Sequence, residues 1–312
     1  MKQPKECVTV VIPVYNRPGL LPRSLEGVKA QTWRPLKVLV VDNGSTDNTL
    51  EVARRWAADN STAGFQVEVI QDSRRGAAYA RQTGLEHADT DKILFFDSDD
   101  VSRSNCVSMA MEQWRLYPDA MLVAWPILRH GKDGDQQTHS ITGNLLERHL
   151  VHAILQTQGY AVRTDYLRSV GGWRGEYPNW NDFETGVRLL LGNPKVASIS
   201  RPLADVYPQV ESITGTSYSG KAGKWEKSLD GVGKTIRKSG RKDMRRLLNI
   251  VSYRRAILAA DYAKEGRPDL AKPLYHQAIR EVSAMKRPLI RFAYYWTRLR
   301  MRGAFSIIGY FL

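Results

Sequence analysis

Cysteine is nearly absent from these 312 residues: Cys7 and Cys106 are the whole complement, too few for a disulfide framework and without the paired spacing of a zinc site. Both read as buried thiols, which suits a reducing compartment. No run of 18 apolar residues occurs, so no membrane-spanning helix is expected. The opening MKQPKECVTVVIPVYNRP has only a short apolar stretch, interrupted by Pro13, and reads as a strand rather than a secretory signal. A cytoplasmic protein is therefore expected. Acidic residues are scarce in one region only. From Lys221 onward 22 Lys+Arg face 7 Asp+Glu, a net +15, whereas residues 1–220 hold 24 and 25, a net −1. The overall +14 thus belongs to an appended basic element of the kind that meets nucleic acid or an anionic membrane. At 42% hydrophobic and 25% charged, the composition is otherwise that of a globular protein long enough for one large domain or two smaller ones.

Through residue 115, apolar β-branched runs alternate with helical patterns. VTVVIPVY (8–15), LKVLVVD (36–42), FQVEVIQD (65–72) and KILFFD (92–97) predict four strands. Leu20 to Gln31, a segment from Thr49, and GAAYARQTGLEHA (76–88) predict the helices between them, with Thr46 or Asp47 capping the second. Strand, helix, strand at this pitch implies an α/β fold with right-handed crossovers and a mostly parallel sheet flanked by helices.

Sheets of this type bind ligands at the carboxyl ends of their strands. Three polar clusters fall there: Tyr15-Asn16-Arg17, Asp42-Asn43-Gly44-Ser45 and Asp97-Ser98-Asp99-Asp100. Each alone suits turn chemistry; together they predict one crevice. In ILFFDSDD (93–100), three carboxylates within four positions repel one another unless a cation sits among them. Asp97 and Asp99 are expected on one side of an extended strand end, and two hard oxygen donors suit Mg²⁺ or Mn²⁺ carrying a phosphate ligand.

VTVVIPVYNRPGLLPRSLEGVKAQTW, VLVVDNGSTDNTLEVA and RRGAAYARQTGLEHADTDKILFFDSDD, in this order and spacing, resemble the N-terminal half of the family 2 glycosyltransferases, which have the GT-A fold. The resemblance is collinear over roughly residues 8–115. It implies inverting transfer of a sugar from a nucleoside-diphosphate sugar, a UDP-sugar first among donors, with Mn²⁺ or Mg²⁺ as cofactor. By the same resemblance Pro13, Tyr15 and Asn16 line the nucleotide base and Asp42 hydrogen-bonds it. Gly76 and Arg81 belong to the helix near the diphosphate. Asp97 is the ribose- and sugar-facing acid of the DxD motif, and Asp99 its metal ligand.

Transfer also needs a carboxylate that takes a proton from the attacking hydroxyl. In GGWRGEYPNWNDFETGVRLLLGN (171–193) a glycine pair precedes a helix whose apolar face is Phe183, Val187, Leu190 and Leu191. Asp182 falls at its N-terminus, where capping is the plain role. The stretch resembles the family's acceptor-side motif, a glycine pair and aromatic followed by a Glu-Asp pair and an Arg in the second helical turn. Here the pair is Asn181-Asp182 and the Arg is Arg188. The resemblance makes Asp182 the general base and Glu184 the weaker alternative. VYPQVESITG (206–215) departs from the family's Tyr-Arg-x-His ahead of a Ser: Tyr207 and Ser212 match, but Pro208 and Val210 stand where the Arg and His would. The basic C-terminal region, or metal and backbone alone, is then expected to hold the diphosphate. His139, His149 and His152 lack the spacing of a ligand set and read as surface or core side chains. Trp125, Trp173 and Trp180 are candidates for stacking on sugars, with packing as the commoner role of such rings.

Residues 217–243, rich in Gly, Ser and Lys, read as a linker or mobile active-site segment. Tyr262, Gly266, Ala271, Tyr275 and Ala278 are spaced as in one tetratricopeptide repeat, which by itself predicts a packed helical hairpin. The stretch 285–312 has six basic residues and no acidic one. On a helix it sets Arg291, Arg298 and Arg302 against Phe292, Trp296 and Leu299, with Arg300 interrupting the stripe. That pattern suits peripheral contact with an anionic membrane, as on the inner face of the plasma membrane; no nucleic-acid module accompanies the charge. The expected organisation is a nucleotide-sugar half (1–115), an acceptor half (116–216) and a basic helical C-terminal extension (217–312). The expected acceptor is a glycan or lipid-linked glycan, as in bacterial surface-polysaccharide assembly. The rival readings are a catalytically degenerate nucleotide-sugar-binding protein and a nucleotidyltransferase.

Overall fold

Val8–Val14 is buried at every residue, as a strand covered on both faces must be. In the computed structural model, which describes residues 6–131, 134–207, 217–299 and 301, this strand lies inside a seven-stranded sheet. The elements in chain order are β1 (Val8–Val14), α1 (Leu21–Lys29), β2 (Leu36–Asp42), α2 (Thr49–Asn60), β3 (Phe65–Gln71), α3 (Ala77–His87), β4 (Lys92–Phe95), β5 (Val101–Ser102), α4 (Cys106–Leu116), β6 (Leu122–Ala124), β7 (Leu128–Arg129) and β8 (Gln136–Gln137). There follow α5 (Leu145–His152), β9 (Tyr160–Arg163), α6 (Thr164–Ser169), α7 (Asn181–Leu191), β10 (Val196–Ser198), β11 (Ala204–Val206), α8 (Lys224–Lys238), α9 (Met244–Lys264), α10 (Pro268–Arg280) and α11 (Arg287–Arg298).

The chain forms two compact units. The first comprises Met1–Thr142, Ile154–Pro178 and Asn193–Gln209. Its sheet runs β10-β6-β9-β4-β1-β2-β3, with β1 parallel to both β2 and β4 (Val10 opposite Val38 and Leu94) and β9 antiparallel between β4 and β6. A four-stranded sheet, β5-β11-β7-β8, accompanies it. The α/β alternation expected from the sequence is present, with two local differences. Strand β4 ends at Phe95 rather than at residue 97, and the acids beyond it form a turn closed by Asp100 N–H donating to the Asp97 carbonyl (3.2 Å). Local repulsion and the turn-forming preference of Asp and Ser defeat the extended geometry expected there. Helix α2 has Asn48 at its cap position, although Asp47 Oδ1 accepts the Thr49 N–H at 2.9 Å.

The second unit comprises Gly143–Ala153, Asn179–Gly192 and Val210–Leu312, and its described residues are helical. Residues 217–243 are not a linker: α8 occupies most of them. Trp225, Leu229, Val232 and Ile236 recur on one face at 0–1% exposure, each contributing about 1.5–3 kcal/mol of burial that outweighs the low helix propensity of Gly231 and Gly233. The hairpin expected near residue 266 forms between α9 and α10, burying Tyr262, Ala271 and Ala278. In α11 the buried side chains are Ile290, Ala293 and Tyr294, packed with α9 and α10, while Phe292, Tyr295 and Leu299 are exposed. The basic-aromatic stripe therefore lies on the outer side of a helix whose other side is core; Arg300 and Arg302 lie outside the described residues.

Candidate active site

Within the first unit, the loops after β1, β2 and β4 carry the polar clusters. Asn16 adopts a left-handed backbone (φ 49°) and ties two of them: its backbone N–H donates to Ser45 Oγ (3.0 Å), while its Oδ1 accepts the Thr46 N–H (2.8 Å). Pro13, buried near the end of β1, and Tyr15 flank this junction; Arg75 donates to Tyr15 Oη (3.2 Å) and lies over its ring. Asp42 is 1% exposed. Its Oδ2 accepts the Ser45 N–H at 3.2 Å, and Oδ1, also buried, has no partner among the described residues. Gly76, at φ 133°, begins α3 with its N–H donated to Asn43 Oδ1 (2.6 Å), a backbone conformation that a side chain would strain.

The acids after β4 are neutralised one by one. Arg81, buried on α3 against the Trp173 ring, pairs with Asp97 (2.5 Å), and Arg17 pairs with Asp99. Arg23 donates to the Asp99 carbonyl (2.5 Å), its guanidinium over the Tyr207 ring. Asp100 is different: it is buried, accepts hydrogen bonds from Gln158 and the Tyr207 N–H, and burial followed by repulsion from Asp97 and Asp99 pushes its carboxyl up to about 8. Burial and its acidic neighbours therefore favour the protonated form of Asp100. Among the described residues no group of three or more His, Cys, Asp or Glu is placed to hold a metal. Magnesium-type sites nevertheless commonly take only one or two carboxylates, with phosphate and water completing the set, and Asp97 and Asp99 meet that requirement in donor type and number. Pro208, Val210 and Ser212 lie outside the described residues.

Asp182 belongs to the second unit. Trp180, with a left-handed backbone (φ 51°), precedes α7, so Asp182 sits in the first helical turn and not at the cap, and its Oδ1 accepts the Phe183 N–H at 2.8 Å. Arg254 from α9 stacks on Phe183 (4.3 Å) and Trp180 (5.1 Å) and donates to the Leu150 and Val151 carbonyls at the end of α5. Some of its stem remains accessible, yet protein surrounds the guanidinium; that desolvation lowers its pKa to about 10, and attraction from Tyr218, Tyr253 and Asp182 opposes the shift. Glu184 is committed elsewhere, in a buried bidentate pair with Arg188 (2.7 Å at the shortest). His149 is fully buried, with Nε2 against the Phe183 carbonyl at 2.9 Å, a support for α7. Arg254 and Arg23 were not singled out from the sequence, because nothing local marks an arginine whose partners lie far away in the chain.

A mostly parallel sheet with acids gathered at its strand ends is the GT-A architecture. The solved structure of S. aureus TarS residues 1–349 in complex with UDP-GlcNAc superposes with a TM-score of 0.70 at 16% identity, covering 96% of this chain and 91% of that one. The mannosyltransferase PcManGT from Pyrobaculum calidifontis, in complex with GDP-Man and Mn²⁺, gives 0.55 at 18% identity over 99% and 88%. At such identities the likeness is one of fold. In sequence, the Glycosyl transferase family 2 profile matches residues 9–168, about half of the chain. The chain belongs to glycosyltransferase family 2. The glycosyltransferase GlyG of Streptococcus pneumoniae serotype 4 is 31% identical over 109 residues, 35% of each chain, so the match spans about a third of that relative.

Proposed function

We propose that the protein is an inverting glycosyltransferase that moves a sugar from a nucleoside-diphosphate sugar, a UDP-sugar first among donors, to a hydroxyl of a glycan or lipid-linked acceptor in surface-polysaccharide assembly. The observation that carries this reading is Asp42, a buried carboxylate at a strand end with one oxygen spent on the backbone and the other lacking a partner among the described residues, the arrangement a nucleobase N–H would satisfy. Tyr15, Pro13 and Asn16 would shape the base site beside it, and Gly76 would bring α3 close to the diphosphate. Asp97 and Asp99 would hold Mn²⁺ or Mg²⁺, which when bound supplies Lewis-acid stabilisation of the leaving diphosphate. Arg17, released from Asp99, would then be available to a phosphate oxygen.

Asp182 would take the acceptor proton as the hydroxyl attacks the face of the anomeric carbon opposite the leaving group, which inverts its configuration. Arg254 is near enough to Asp182 for the attraction between them to act on the guanidinium's own pKa. Among the described residues no helix is long and apolar enough to cross a membrane. The exposed Phe292, Tyr295 and Leu299, with Arg291 and Arg298 on the same helix, support peripheral contact with an anionic membrane from the cytoplasmic side. The test is calorimetric binding and turnover of UDP-, GDP- and dTDP-sugars, each with and without Mn²⁺, for wild type, Asp99→Ala and Asp182→Asn. One nucleotide should bind in a metal-dependent way that Asp99→Ala abolishes, with Asp182→Asn binding but inactive. Binding without any turnover by wild type would favour the degenerate binder, and absence of all binding would sink the transferase.

A further inference from the structure

Helices α8 and α9 and the residue after α10 enclose a cavity of about 290 Å³ in the second unit, lined by none of the residues assigned to transfer. Three arginines line it: Arg237 from α8, and Arg245 and Arg255 from α9. Arg255 is 3% exposed; Nη2 pairs with Asp230 (3.0 Å) and Nε with Glu281 (3.2 Å), but Nη1 is buried with no partner among the described residues. Glu281 makes no hydrogen bond to Nη1. Its oxygens already accept from Ser252 (3.0 Å), Arg255 and Gln277 (2.9 Å). Asn249, 7% exposed, also lines the cavity, and no hydrogen bond holds its amide among the described residues. Arg237 and Arg245 are exposed and pair with no carboxylate among those residues.

Guanidinium groups have donors only, so a cavity lined by three of them against one carboxylate, Glu281, holds donors in excess of acceptors. The matching ligand group is a phosphate, whose oxygens take forked N–H pairs and offset the charge. Met244, Leu248 and Val251, from the same helix as Arg245 and Arg255, add apolar lining that suits a carbon skeleton. The volume is near the lower end for small-molecule pockets, too large for phosphate alone to fill. Gly233 is part of the arrangement: a Cβ there would come 3.3 Å from Arg237 Nη1, so the glycine lets that guanidinium lie against α8. We infer that this cavity binds the phosphate ester of a small organic molecule, a site that does not rest on the transfer reading. A soluble sugar phosphate and an anionic lipid headgroup share this chemistry.

The experiment titrates the full chain with inorganic phosphate and glucose 1-phosphate by calorimetry, with and without saturating UDP, and with vesicles of phosphatidylglycerol or phosphatidylcholine by sedimentation. Wild type, Arg237→Ala/Arg245→Ala and Gly233→Ala are compared, with melting temperature as the control for folding. Glucose 1-phosphate should bind more tightly than inorganic phosphate, UDP should not displace it, and the double variant should bind at least about tenfold more weakly at unchanged melting temperature. Gly233→Ala should weaken binding less while melting no lower, since alanine favours the helix. Phosphatidylglycerol-selective vesicle binding that the double variant loses, without binding of the soluble ester, would assign the site to a lipid headgroup. Displacement by UDP, or binding of ester and vesicles that is absent or indifferent to the double variant, would overturn the inference.

Discussion

The two units each gather charge of one sign and restrain it in opposite ways. In the first, Asp97 and Asp99 sit in a turn and are each met by an arginine reaching over from another element, partly in contact with solvent. In the second, arginines outnumber acids and are fixed within helices: Arg254 by two carbonyls and two aromatic rings, Arg255 by two carboxylates. Asp99 can exchange the loop arginine Arg17 for another cation at small cost, whereas Asp97 faces Arg81, itself buried on α3. An arginine packed on a helix cannot leave without taking structure with it. The difference separates a region built to trade ionic partners from one built to keep them.

The sharpest probe of this contrast is Asp182→Asn, expected to lower kcat by about 10²–10⁴-fold while donor affinity stays within about twofold; parallel loss of donor binding would break the division between the units. Next is Asp99→Ala, for which calorimetry should show the Mn²⁺-dependent gain in nucleotide binding lost, a weakening of about 10–100-fold, with the unfolding midpoint unchanged. The restraint itself is compared by removing one arginine from each unit. Arg254→Met should lower stability by about 2–4 kcal/mol in urea unfolding, whereas Arg17→Met should cost less than about 1 kcal/mol, and equal losses would erase the distinction. The last probe is protonic. Burial, against the hydrogen bond at Phe183 and helped by Arg254, lowers the His149 pKa to about 3. A histidine depressed in the folded state stabilises it only while neutral, so stability should fall as pH drops below the unfolded value of about 6.5 toward 3, by at most about 1.4 kcal/mol per pH unit. His149→Gln should flatten that slope in pH-dependent melting.

The strands and helices through residue 95 were legible because Val, Ile and Leu runs declare a buried parallel sheet in one dimension. Helix α8 was not, since Gly231, Gly233 and Ser228 carry a loop's composition and only the spacing of Trp225, Leu229, Val232 and Ile236 betrays the helix. At the candidate site, Asp42, Asp97 and Asp99 could be picked out as strand-end acids. Their separate situations could not: Arg17 and Arg81 meet Asp99 and Asp97 from 82 and 16 residues away along the chain, and burial raises the Asp100 pKa, which no local pattern encodes. Glu184 likewise looked like a spare base until Arg188, one turn on, was found holding it.

The second unit borrows α5 and α7 from the middle of the chain and covers them with helices made much later. During synthesis, α7 is complete at Leu191 and the last residue of α9 is Lys264, so at about 5–20 residues per second the apolar sides of α5 and α7 wait roughly four to fifteen seconds for their cover. Phe183, Val187 and Leu150 are exposed on the nascent chain for that interval. Chaperone demand should therefore peak there, and a chimaera made by joining the front of one relative to the back of another at residue 216 would inherit two helices matched to the wrong lid.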